Sequence, residues 1–302
     1  MERDKARHSS DLSSGSNEGG VDRRQMLALS VPVLATASLI GASKAEAAIA
    51  PGGSRLDAIL KAGKLRVGTF LQYKPYTFKN MAGEADGWDT DVAKALTEDM
   101  GVKPEFVDNS WDGIIPAMQA DKFDVIIAAM SNTKKRSLVV NFTHPYYMAS
   151  SAFIYRSADA GRFPSLDKFN DPSIKASILI QDASHITAQR FFPKAQVVDF
   201  NSAEEAILAV QTNKVDCSIA EFSFCSQYVS EHQGLSVKAV DYPGSTSPLA
   251  MALLAGPENE HFKTFLNSWI QHFFWSAQYE PIYKKWFAGA PLPKVEKFLA
   301  PL

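Results

Sequence analysis

Hydrophobic residues recur along this chain with two alternating periods. Short apolar runs cover Lys64–Thr69, Asp124–Ala129, Ala176–Ile180 and Val215–Ala220, which suits strands buried on both faces. Between them the spacing changes to that of a helix. Val92, Leu96 and Met100 mark a helix over Asp89–Met100 that Gly101 stops, and Ile114, Ile115 and Met118 share one side of Trp111–Ala120. Ser184–Phe192 reads as a helix, and Ser202 with Glu205 forms a capping box opening another that runs to Thr212. Phe106–Val107, Gln196–Val198, Ser236–Val240 and Pro248–Ala255 read as further strands, Glu221 starts a helix, and two C-terminal helices begin near Asn259 and Ala277. Strand–helix alternation of this kind predicts parallel sheets covered on both sides, and the pattern occurs twice. Ligands of such sheets bind at the carboxyl ends of strands, so informative residues are expected just after them.

The first residues break the pattern. Residues 1–20 are polar and rich in Ser, Gly and charge, a composition that cannot bury a core. Arg23-Arg24 then precedes an apolar stretch from Met26 to Gly41, followed by Ala45-Glu46-Ala47. That stretch is shorter than the roughly 20 residues a spanning helix needs, and Pro32 interrupts it. Paired arginines, an apolar region and an A-x-A site predict a twin-arginine export signal, a mature chain from about Ala48, and a periplasmic protein.

Composition narrows the function. Of 302 residues, 46% are apolar and 21% charged, as in a soluble globular protein, and the net charge of -2 gives no basis for holding nucleic acid. The two cysteines, Cys217 and Cys225, form no CxxC, and no HExxH or GxxxxGK[ST] occurs. No cofactor or metal is therefore expected. The cysteines read as two separate buried thiols in preference to a bridge.

Ordered blocks carry a more specific signal: Leu65–Thr69 with Tyr73-Lys-Pro-Tyr76, Gly87–Asp91, Ser110–Pro116, Phe123–Arg136, Asn141–Tyr146, Val215-Asp216 and Ile282–Trp286. Together they resemble the bacterial extracellular solute-binding proteins for polar amino acids, family 3, partners of ABC importers. The resemblance implies a type II periplasmic binding protein fold: two α/β lobes, each a mainly parallel sheet flanked by helices, joined by two crossover strands near Ser151–Tyr155 and Pro243–Pro248. The expected organisation is a signal and leader over 1–47, a linker over 48–54, lobe 1 over 55–153 and 245–302, and lobe 2 over 154–244. A monomer that closes on its ligand and docks on a permease is implied.

The same resemblance assigns roles. Arg136, in Thr-x-x-Arg, matches the arginine that grips the ligand carboxylate, a task suited to a guanidinium fork. The Ala129 carbonyl would accept from the ligand ammonium, and Ser131 would offer a hydroxyl and an amide. Tyr73 and Trp111 match the aromatic residues flanking the ligand side chain. Ser184 and His185 match the loop that opens a second-lobe helix and offers amides to the carboxylate, with Ala183 where the family usually has Gly. Glu221 stands where an aspartate usually pairs with the ammonium. Phe70 stands where cation-specific members often carry an aspartate, so a neutral or apolar amino acid is expected over a basic one.

Two other readings stay open. Relatives that are cyclohexadienyl dehydratases carry a catalytic glutamate shortly after the second-lobe loop, where this chain has Ile186, so no enzyme activity is expected. A ligand-sensing partner of a membrane receptor would share the same lobes.

Overall fold

The computed structural model describes residues 53–287. The export signal, the leader and most of the linker expected from the sequence lie outside them, as do residues 288–302.

The chain opens with α1 (Arg55–Ala62), β1 (Lys64–Thr69), the small strands β2 (Gln72–Tyr73), β3 (Thr77–Lys79) and β4 (Ala85–Asp86), α2 (Trp88–Met100), β5 (Lys103–Asp108), α3 (Ile114–Gln119) and β6 (Val125–Ile126). β1 lies between β5 and β6 and runs parallel to both. Gly101 ends α2 at φ 67°, where it returns its amide to Glu98, a left-handed stop that glycine adopts without strain. The Asp124 carboxylate begins β6 in a buried ion cluster. It accepts the Arg66 backbone amide at 2.9 Å and Arg66 Nη2 at 2.7 Å, with Arg55 Nη1 at 3.3 Å. Two guanidinium groups offset the cost of burying that carboxylate and fix β6 beside β1.

A 17-residue strand follows, β7 (Val140–Arg156), and it changes partners midway. Next come β8 (Lys175–Leu179), α4 (Ser184–Phe191), β9 (Gln196–Phe200), α5 (Ala203–Gln211), β10 (Cys217–Glu221), α6 (Phe222–Glu231), β11 (Leu235–Ala239), β12 (Thr246–Leu254), α7 (Pro257–Trp275) and α8 (Tyr279–Trp286). The Ser202 hydroxyl accepts the Glu205 amide at the start of α5. Strand order is β5-β1-β6-β12-β7-β10-β8-β9, with β11 also on β7. β7 pairs with β12 as far as Ser150, then runs between β10 and β11 from Ser151. Two chain segments therefore join two sheet halves, each built on parallel pairs (β1 with β5 and β6, β8 with β9 and β10). This is the two-lobed α/β architecture expected from the sequence. The second half has its own aromatic centre, where Phe169 stacks between Phe153 and Phe163 at 3.8 and 4.3 Å.

Some elements differ from expectation. The apolar run Asp124–Ala129 pairs as a strand only at Val125–Ile126, because the chain bends into a left-handed residue at Ala129, φ 48°. α1, with Leu56, Ile59 and Leu60 at helical spacing, and the short strands β2–β4 were not among the expected elements. Cys217 and Cys225 are buried, unpaired thiols. No helix among the described residues is long and apolar enough to cross a membrane.

Candidate functional site

The carboxyl ends of β1, β6, β8 and β10 converge on one cavity between the sheet halves. Phe70, Tyr73, Trp111, Ala129, Ser131, Ser184 and Glu221 all line it. Sequence reasoning had named each of them. It had not named Asp182, Thr187 or the β7 residues Ser150 and Ser151, which line the cavity too.

The first half supplies an aromatic wall. The Phe70 ring lies 5.8 Å from Trp111 and 6.3 Å from Tyr73. The Tyr73–Tyr76 loop is tied to the start of α2, where Trp88 and Asp89 donate their amides to the Pro75 and Tyr76 carbonyls at 2.9 Å. Gly87 makes this possible: at φ 122°, a Cβ there would stand 2.2 Å from the Tyr76 oxygen. Asp89, fully buried, accepts the Ala129 amide at 2.5 Å and the Tyr146 hydroxyl at 2.8 Å. Holding that amide inward fixes Ala129 in its left-handed turn at the cavity wall. Burial pushes the Asp89 carboxyl up to about 7.

Arg136 opens a 3-10 turn whose amide Thr133 caps. Its Nη1 donates to the Ser131 carbonyl at 3.0 Å and its Nη2 to the Gln181 carbonyl of the second half at 2.8 Å. The guanidinium lies 5.1 Å from the Trp111 ring centroid. Arg136 thus roofs the cavity and joins its two sides without being part of its lining.

The second half supplies acids. Glu221 ends β10 and caps α6, its Oε2 accepting the Ser223 and Phe224 amides at 2.6 and 3.0 Å. Burial pushes it up to about 7, against the lowering pull of those amides. Asp182, in the β8–α4 loop, accepts the Ser184 amide through Oδ1 at 2.8 Å. His185 is in the expected set but not in the lining; only its backbone amide reaches a lining residue, donating to the Asp182 carbonyl at 3.3 Å. Its Nε2 lies 3.0 Å from Asp199 Oδ1 on β9, so the ring faces away from the cavity. Asp182 carried a readable signal, being an acid directly after a strand and before a helix.

The two halves touch across the cleft. Tyr73 stacks on Phe224 at 4.3 Å, its hydroxyl accepts the Glu221 amide at 3.4 Å, and Lys74 pairs with Glu231. The Tyr147 and Ser223 hydroxyls meet at 3.3 Å.

A cavity enclosed by two α/β halves that share two crossing segments defines a ligand-trapping protein of the periplasmic binding class. The sequence profile of the bacterial extracellular solute-binding proteins, family 3, matches residues 65–289, and the chain belongs to that family. A Campylobacter jejuni protein named "Probable histidine-binding protein" is 31% identical over 57% of this chain, a match spanning 65% of that protein. Cyclohexadienyl dehydratase of Pseudomonas aeruginosa is 25% identical over 75% of this chain and 83% of its own length. The crystal structure of an ancestral amino acid-binding protein, a precursor of cyclohexadienyl dehydratase, is 34% identical, with a TM-score of 0.71 over 78% of this chain and all of its own.

Proposed function

We infer that this chain is the capturing component of an ABC importer, holding a small amino acid or close relative with a neutral or apolar side chain. The carrying observation is the enclosed cavity in which the aromatic wall of Phe70, Tyr73 and Trp111 faces the acids of the other half, under the Arg136 roof. Glu221 and the Ala129 carbonyl would take the ammonium, Arg136 and the Ser131 and Ser184 groups the acid end, and Tyr73 and Trp111 the side chain. Phe70 leaves no carboxylate at that wall for a basic head group. In this reading lobe 1 comprises 55–153 and 245–302 and lobe 2 comprises 154–244, and closure presents both to a permease. The protein would act as a monomer in the periplasm, exported by the twin-arginine route. Mass spectrometry of solutes released from the denatured protein tests this, together with a thermal-shift panel of amino acids. No released solute and a flat panel would overturn it.

One observation favours a second reading. Glu221 titrates near neutrality inside the cavity, as a general acid must, and a cyclohexadienyl dehydratase is among the relatives. Product formation from prephenate or arogenate, abolished by Glu221→Gln, would establish it.

A further inference from the structure

Three hydroxyl groups outside the cavity lining gather beside Glu221. Tyr147, on β7, meets Ser223, on α6, at 3.3 Å, and the Ser223 amide donates to Glu221 Oε2 at 2.6 Å. The third hydroxyl belongs to Tyr76, in the loop between β2 and β3 of the other half. Its ring is fully buried and stands edge-on to Tyr147, centroids 5.6 Å apart. Its hydroxyl is close enough to Glu221 to favour the ionised carboxylate, yet it makes no hydrogen bond of ordinary length and angle with any described residue.

A buried hydroxyl without a partner is costly. Here the backbone cannot move away, because the Tyr76 carbonyl accepts the Asp89 amide at 2.9 Å. The ring is held by Tyr73 on one side and Tyr147 on another. A small turn of the O–H is what remains, and Glu221 is the acceptor that gains from it. An ionised carboxylate has about four acceptor sites, more than the amides of Ser223, Phe224 and Ser150 fill. The other titratable groups around Glu221 give its charge little help. They are Asp182 from the β8–α4 loop, Tyr73 from the aromatic wall, Tyr147 from β7 and Cys225 from α6. Arg136, the cation above the cavity, holds the Ser131 and Gln181 carbonyls.

We propose that Tyr76 is a positioning residue for Glu221: its hydroxyl turns to donate to that carboxylate when the acid ionises, and so supports, from the opposite half of the cleft, the charge that receives the solute's ammonium. The role of the ammonium rests on the solute-binding reading; the contact between Tyr76 and Glu221 does not.

Carbon NMR of the full protein, labelled at its glutamate carboxyls and freed of solute by dialysis, tests the contact. The Glu221 signal is the one lost in Glu221→Gln. Tyr76→Phe removes a single oxygen and should raise the Glu221 titration midpoint by about one pH unit, as loss of one hydrogen bond to a charged group would. Tyr147→Phe should move it less, because that hydroxyl is already engaged by Ser223. At pH 5, with Glu221 protonated, Tyr76→Phe should melt no lower than wild type, since the hydroxyl it loses has no partner there. In calorimetry with the amino acids of the thermal-shift panel, the pH above which affinity levels off should rise with the midpoint. A Glu221 midpoint unmoved by Tyr76→Phe, or moved as far by Tyr147→Phe, would overturn the proposal whether or not solute binds. A midpoint that moves as expected in a protein that binds none of the panel would uphold the contact and remove the solute-binding reading alone.

Discussion

The Tyr73 ring lies flat on Phe224, centroids 4.3 Å apart and planes 4° from parallel, with one residue from each side of the cleft. Such a stack contributes about 0.5–1.5 kcal/mol beyond the area it buries, enough to change a closed-to-open ratio by roughly two- to tenfold. Phe224→Ala should therefore favour the open form. The expected outcome in small-angle scattering is a larger radius of gyration for the solute-free variant, returning toward wild type with saturating solute. An unchanged radius would show that the other cross-cleft contacts suffice.

Glu221 predicts how binding responds to pH. Its carboxyl is raised from 4.5 to about 7 by burial, so at pH 5.5 the solute-free protein holds it mostly protonated. A ligand ammonium favours the ionised form, and binding must then expel a proton. Affinity should be weak at pH 5.5, rise as pH passes about 7, and level off above. Glu221→Gln should flatten the curve. Titration calorimetry in buffers of different ionisation enthalpy reads the proton directly; an affinity that falls as pH rises would place the ammonium elsewhere.

Residues that obey local rules were legible in the sequence. Gly101 stops α2, Ser202 caps α5, and the runs at β1, β8 and β10 pair as strands. Acidic Glu221 and aromatic Tyr73 reach the cavity from the last positions of β10 and β2, and Trp111 from the loop just after β5. What stayed hidden depends on contacts distant in sequence. The crossover expected near Ser151 came from the family resemblance, since nothing local marks β7 as changing partners there: its pairing is decided by β10, β11 and β12. His185 has the right position but turns to Asp199, fourteen residues on, and Arg136 crosses to the Gln181 carbonyl. Asp182 was readable from its place between β8 and α4; only its hydrogen bond from the Ser184 amide needed the structure.

Arg136 should not tolerate lysine. Its planar fork reaches two carbonyls on opposite sides of the cleft while lying over Trp111, and an ammonium cannot reproduce that geometry. Charge-assisted hydrogen bonds are worth about 1.5–3 kcal/mol, so Arg136→Lys and Arg136→Ala should weaken solute binding by roughly ten- to a hundredfold. Equal affinity in calorimetry would show that the guanidinium only roofs the cavity.

Asp89 acts on stability. Its folded carboxyl is raised from 3.8 to about 7, so the folded state binds the proton more tightly than the unfolded one. The stability this adds is complete below about 3.8 and is lost as pH rises through about 7, a change on the order of 4 kcal/mol at most. Glu221 contributes with the same sign. Asp89→Asn removes this titration, and with its oxygen on the Ala129 N–H its amide must turn the Tyr146 hydroxyl from donor to acceptor, at a cost of about 1–3 kcal/mol. Thermal unfolding should show a lower midpoint at pH 5 and a shallower decline to pH 8 than wild type. An identical slope would mean that Asp89 stays ionised across the range.

Phe70 is where side-chain preference should be reversible. Its ring is buried against Trp111 and Tyr73 and presents no charge to the cavity. Phe70→Asp would add a third acid beside Asp182 and Glu221. Without ligand those charges repel, so the solute-free variant should melt earlier than wild type at pH 8 and recover part of the loss at pH 5. With arginine or lysine the new carboxylate gains a partner, and affinity for these should rise at least tenfold while that for leucine or phenylalanine falls. A thermal-shift panel on both proteins gives the comparison. Wild-type protein that already binds arginine as tightly as any neutral amino acid would show that Asp182 and Glu221, and not the Phe70 position, set the charge this cleft accepts.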